Sequence, residues 1–192
     1  MSSAARILTI AALLGAAASV ARAEEHDRLY TFDGDSAGDH LGVFVAAAGD
    51  VNKDGYDDVI VGARPGGYAR VLSGKDGSTI HTFIGAAGGD QLGHSVCGTG
   101  DLDGDGYDDV IIGARYAAPN GKYDAGKSYV VFGSATGLPP AVELGSLNGT
   151  DGFAINGLDG LDVFGWSVSS AGDVNGDGVD DVAIGARSGD PV

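Results

Sequence analysis

A second cysteine is missing from this sequence, and with it any internal disulfide, because Cys97 stands alone. Basic residues are scarce: 11 Lys and Arg face 27 Asp and Glu, a formal net charge of −16. None of the basic residues is clustered to meet phosphates, which excludes nucleic acid and anionic membrane surfaces as natural partners. No G-x-S-x-G, H-E-x-x-H or phosphate-loop pattern occurs, and His26, His40, His81 and His94 lack metal-ligand spacing. The chain therefore reads as non-catalytic.

A membrane-spanning run is also wanting. Ile7 to Val20 is apolar but only 14 residues long, short of the roughly 20 that a span needs. Arg6 precedes it, and Ala21-Arg22-Ala23 supplies a small-x-small cleavage pattern. Residues 1–23 thus read as an export signal, with a mature segment of residues 24–192 and no membrane insertion after cleavage. A secreted, periplasmic or cell-surface location is expected. An exported chain without disulfides takes its rigidity from elsewhere, and bound metal is the expected source.

What the sequence does have is one acidic nonapeptide in three copies. These are Asp50-Val51-Asn52-Lys53-Asp54-Gly55-Tyr56-Asp57-Asp58, Asp101-Leu102-Asp103-Gly104-Asp105-Gly106-Tyr107-Asp108-Asp109 and Asp173-Val174-Asn175-Gly176-Asp177-Gly178-Val179-Asp180-Asp181. Each carries carboxylate or amide oxygens at positions 1, 3, 5 and 9, with Gly at position 6. Alternate residues of a tight loop point to one side, so these oxygens converge, and the carbonyl of position 7 adds another. Hard oxygen ligands in a flexible set suit calcium. Asp, Asn and Gly also favour plain turns, but three copies with one spacing favour an ion. Thirteen of the 27 acidic residues lie in these loops, where they repel one another unless a cation is present. The acids at position 8, Asp57, Asp108 and Asp180, should point away from the ion into solvent.

Helix-loop-helix calcium sites need a carboxylate at position 12, and here that position holds Val61, Ile112 and Ile184. The residues after each loop, such as Val110-Ile111-Ile112-Gly113, read as short buried strands. Leu41 to Ala47, Leu92 to Gly98 and Phe164 to Ser170 read as strands before the loops. Each loop therefore joins two strands of a hairpin.

More than the loop repeats. Leu41-Gly42, Leu92-Gly93 and Phe164-Gly165 precede the loops, and Gly62-Ala63-Arg64, Gly113-Ala114-Arg115 and Gly185-Ala186-Arg187 follow. Ala69 to Leu72 and Thr79 to Phe83 read as third and fourth strands of the first unit. Ser128 to Phe132 and Ala141 to Leu144 do so for the second, which leaves Leu147 to Asp162 as an insertion. His40 and His94 fall near the starts of two units and read as turn residues. Four short strands per unit at this period predict an all-β fold of β-propeller blades. Approximate blade bounds are 38–88, 89–160 and a truncated 161–192.

The Phe/Leu-Gly start, the nine-residue acidic loop and a Gly-Ala-Arg where Gly-Ala-Pro is usual resemble the FG-GAP repeats of integrin α-subunit β-propellers and their bacterial relatives. The resemblance covers nearly all of residues 30–192 and implies three calcium sites. The first would use Asp50, Asn52, Asp54, the Tyr56 carbonyl and Asp58. The second would use Asp101, Asp103, Asp105, the Tyr107 carbonyl and Asp109, and the third Asp173, Asn175, Asp177, the Val179 carbonyl and Asp181. Adhesion, with a protein or extracellular-matrix-type ligand, is the function it implies. The alternatives are the calcium-binding part of a larger exported enzyme, a hydrolase, and a structural spacer in a repetitive surface protein. Propellers close with about 4–8 blades, so a longer chain or oligomerisation is expected to supply the rest.

Overall fold

The computed structural model describes residues 30–135 and 137–189, and the expected export signal lies outside them. In chain order the strands are β1 (Leu41–Gly49), β2 (Asp58–Ala63), β3 (Tyr68–Leu72), β4 (Thr79–Ile84), β5 (Leu92–Gly100) and β6 (Asp109–Ala114). They continue as β7 (Lys127–Val131), β8 (Ala141–Glu143), β9 (Gly152–Asn156), β10 (Phe164–Gly172) and β11 (Asp181–Ala186). They form three sheets ordered β1-β2-β3-β4-β8, β5-β6-β7-β9 and β10-β11. These are blades of an incomplete β-propeller. The expected strand–loop–strand hairpins are present, and the strands before the loops run to Gly49, Gly100 and Gly172.

β5 packs between β1 and β10, so the three inner strands lie side by side. Burial follows from this placement. Leu92 to Val96 of β5 are all buried, whereas Val43 and Val45 on β1 are 41% and 50% exposed. The middle blade has a neighbour on both flanks, and the first and third each have one.

Two motif glycines on neighbouring blades explain how closely the blades approach. A Cβ on Gly62 would lie 2.0 Å from the carbonyl oxygen of Gly93, and one on Gly113 would lie 2.3 Å from that of Gly165. The Gly of Gly-Ala-Arg in one blade thus packs on the Leu/Phe-Gly of the next. Backbone touches backbone there, and no other residue fits.

The main core lies between the first two blades. Ile60, Val71 and Phe83 from one side meet Leu92, Ile112, Tyr129 and Val131 from the other. Alternation along β2 turns Val61 to the opposite face, where it joins Leu41, Tyr68 and Leu72 under Phe32. Burying each such side chain contributes about 1.5–3 kcal/mol.

One strand assignment differs from the expectation. Ala141 to Leu144 does not complete the second blade. β8 pairs in parallel with β4 of the first blade, Phe83 opposite Val142. Antiparallel β9, inside the stretch that reads as an insertion, completes the second. The physical reason is burial. Val142 (5% exposed) and Leu144 (1%) join the inter-blade core, and β8 covers the otherwise open edge of β4. β9 buries little beyond Gly152, so Gly-Phe-Ala-Ile-Asn carries only a weak strand signal.

Of the two histidines, only His40 is a turn residue, with φ 54°. His94 is a buried residue of β5. The position equivalent to His40 is Gln91, also at φ 54°, just before β5.

Candidate metal loops

Each acidic loop turns the chain from the inner strand of a blade into the second. Position 4 takes a left-handed conformation in all three copies, with φ 58° at Lys53, 79° at Gly104 and 79° at Gly176. Position 6 does the same at Gly55, Gly106 and Gly178, with φ 87–91°. These two reversals fold nine residues into a corner.

One hydrogen-bond scaffold fixes the acids. The position 6 N–H donates to the position 1 carboxylate, Gly55 to Asp50 (2.8 Å), Gly106 to Asp101 (2.8 Å) and Gly178 to Asp173 (2.9 Å). The position 5 N–H donates to position 3, as from Asp54 to Asn52, Asp105 to Asp103 and Asp177 to Asn175. Position 7 donates to position 5, from Tyr56, Tyr107 and Val179 to Asp54, Asp105 and Asp177. Position 2 donates to position 9, from Val51 to Asp58, Leu102 to Asp109 and Val174 to Asp181.

Among the described residues, convergence of an all-acid trio is found in the second loop. Asp101, Asp103 and Asp109 each offer an oxygen within 4.8 Å of the others, a set that could hold a metal ion. Asp105 is not part of it. In the other two loops position 3 is an amide, Asn52 or Asn175, and the Asn175 Nδ2 donates to Asp181 (3.3 Å).

Position 9 is half-buried in the third loop, at Asp181, whereas in the first two loops it is the buried end of the site, with Asp58 1% and Asp109 0% exposed. A second N–H from beyond the third strand anchors each, Gly74 to Asp58 (3.1 Å) and Gly133 to Asp109 (2.8 Å). Burial, with smaller upward pushes from Asp103 and Asp101, raises the Asp109 carboxyl to about 7 against those N–H bonds. Asp58 is raised to about 6 in the same way, first by burial, then by Asp54 and Asp50. A buried carboxylate facing further carboxylates favours a cation or a proton. Asp173, fully exposed, is lowered, chiefly by the N–H of Gly178.

The position 8 acids are not all solvated. Asp57 is exposed, but Asp108 reaches into the preceding blade and accepts the N–H of Asp50 (2.7 Å). Asp180, itself exposed, also approaches the preceding blade, its carboxylate 2.8 Å from where a Cβ of Gly100 would stand. Lys53 also crosses between loops, its Nζ 4.9 Å from the Tyr107 ring centre. Sequence reasoning missed these partners of the loops. Gly74 and Gly133 stand 16 and 24 residues beyond position 9, so no fixed spacing marked them.

Blades whose first hairpin closes on an acidic nine-residue corner define a class, the repeat-built propellers. Within it, the FG-GAP repeat family model matches residues 42–82, 92–131 and 164–191, and the chain belongs to that family. It is 36% identical over 176 residues to integrin alpha pat-2 of Caenorhabditis elegans, covering 78% of this chain and 13% of that protein. It is 30% identical over 154 residues to integrin alpha-5 of Xenopus laevis, covering 76% of this chain and 14% of the other. With integrin alpha-V of Gallus gallus it shares 31% over 176 residues, 85% of this chain and 16% of the other. The chain thus spans 13–16% of the length of these curated relatives. Among the described residues, no helix is long and apolar enough to cross a membrane.

Proposed function

We propose that this chain is an exported, non-catalytic binding module of the adhesion type, stiffened by calcium at three corners. The convergence of Asp101, Asp103 and Asp109, each with an oxygen within 4.8 Å of the others, carries the reading. The proposed ligand sets are the oxygens of positions 1, 3, 5 and 9 with the position 7 carbonyl. They comprise Asp50, Asn52, Asp54, Tyr56 and Asp58, then Asp101, Asp103, Asp105, Tyr107 and Asp109, then Asp173, Asn175, Asp177, Val179 and Asp181.

Calcium there is structural. It neutralises acids that the fold crowds together and fixes the corner between the first two strands of a blade. The partner is a protein or extracellular-matrix-type ligand, by likeness to the integrin α relatives. Further blades, from a longer chain or another copy, would cover the exposed flank at Val43 and Val45.

Calorimetric titration of the calcium-stripped chain tests the calcium reading. Three ions per chain are expected, with dissociation constants of roughly 0.1–1 mM as in extracellular modules. Replacing the exposed Asp103 (Asp103→Ala) should remove one. No heat of binding, or a stoichiometry unchanged by that replacement, would contradict the proposal.

A further inference from the structure

At the end of the blades opposite the acidic loops, the three arginines of the Gly-Ala-Arg motifs come together. Arg64 Nη1 (3.3 Å) and Arg115 Nε (2.9 Å) donate to the same Gln91 side-chain oxygen. Arg115 lies 4.5 Å and Arg187 4.3 Å from the ring centre of Trp166. Arg115 is also 3.4 Å from His94 Nε2, and His94 packs on Trp166 and Phe44 with ring centres 4.9 Å away in each case.

The cluster is rich in donors and poor in acceptors. A guanidinium carries five N–H donors, yet among the described residues the side-chain acceptors that meet Arg64 and Arg115 are Gln91 Oε1 and His94 Nε2. Among the described residues, no carboxylate lies within ion-pair distance of Arg64, Arg115 or Arg187. Arg64 Nε and His94 Nδ1 are buried with no partner, in a histidine only 5% exposed. Burial is the chief cause that lowers the Arg115 pKa; Tyr116 opposes it, and the Arg64 and Arg187 charges add smaller downward pushes. Packing on aromatic rings explains why guanidinium planes stand here. It does not explain buried donors without an acceptor, which are costly to leave unmet.

We propose that Arg64, Arg115 and Arg187, with Gln91, form a receptor for a single carboxylate presented by an acidic side chain of a protein partner. The proposal rests on the binding-module reading above and names the chemistry of its ligand. A planar carboxylate takes two parallel N–H bonds from one guanidinium. A polyanion is disfavoured, because the chain as a whole carries −16 and repels extended negative charge.

Trp166 is the one tryptophan of the chain, so its fluorescence reports on the cluster. The calcium-loaded chain is titrated at constant ionic strength with N-acetyl-aspartate methylamide, N-acetyl-asparagine methylamide and sulfate. The aspartate probe should give a saturable change in the millimolar range, and the asparagine probe none. Arg187→Gln, at an exposed residue, and Arg64→Gln should each weaken the aspartate response at least threefold while melting unchanged. If Arg64→Gln melts lower, Arg187→Gln alone decides. Identical responses to the aspartate and asparagine probes would overturn the proposal. So would saturation by sulfate alone, or less than a threefold change in Arg187→Gln. None of these outcomes bears on calcium stoichiometry, so a failure here leaves the calcium corners standing.

Discussion

Asp108 lends one carboxylate oxygen to the backbone N–H of Asp50, 2.7 Å away and in the preceding blade. The pair ties the start of one acidic loop to the end of the next, so neighbouring loops are not independent. A half-buried hydrogen bond to a charged group contributes about 1.5–3 kcal/mol. Asp108→Ala should therefore lower unfolding stability by about 2 kcal/mol, and Asp108→Asn, which keeps a carbonyl acceptor, by less. Asp57→Ala, at the exposed equivalent position, should change stability little. Urea unfolding of the three variants checks this, and equal effects of Asp57→Ala and Asp108→Ala would contradict it.

The glycine contacts between blades make a second prediction. Gly62→Ala or Gly113→Ala would drive a Cβ to 2.0 or 2.3 Å from a carbonyl oxygen of the next blade. Since both sides are backbone, the blades must separate, at a cost of about 3 kcal/mol. Gly137→Ala serves as control: its φ is +71° but nothing lies within 4 Å of the added Cβ, so only the left-handed backbone cost of about 1–2 kcal/mol applies. Thermal unfolding of the three variants should rank them in that order.

His94 sets a pH dependence. Burial, then the charges of Arg115 and Arg64, lower its pKa from 6.5 to about 4. The folded chain thus keeps the ring neutral where the unfolded chain binds a proton. Its contribution is intact above pH 6.5, declines as pH falls from there, and is gone below about pH 4. With calcium saturating, the wild type should lose on the order of 2 kcal/mol more than His94→Gln between pH 7 and 4. Parallel stability curves for the two proteins would show that the buried imidazole is not the cause.

The hairpins around the acidic loops were legible because two signals coincide there: oxygen side chains at alternate positions, and β-branched runs such as Val110-Ile111-Ile112. The fourth strand of the second blade was not legible. Ala141 to Glu143 carries the apolar side chains but spends them on the first blade, opposite Phe83. Gly152 to Asn156 is held by backbone pairing to β7 and has little apolar pattern of its own. The site divides the same way. Positions 1, 3, 5 and 9 follow from spacing within nine residues, whereas Asp108 on Asp50, or Gln91 between two arginines, joins residues that only the stacking of blades brings together.

The central claim is that calcium holds the corner of each first hairpin, and thermal unfolding with and without the ion tests it most directly. At about ten times the dissociation constant each site adds on the order of 1.4 kcal/mol, and three sites about 4 kcal/mol. For a domain of this size that corresponds to a rise of roughly 8–16 °C in melting temperature. The chain in millimolar calcium should melt that much above the chain in EDTA. Magnesium, which prefers a smaller octahedral shell, should restore little of the difference. Coincident melting curves in calcium and in EDTA would contradict the account.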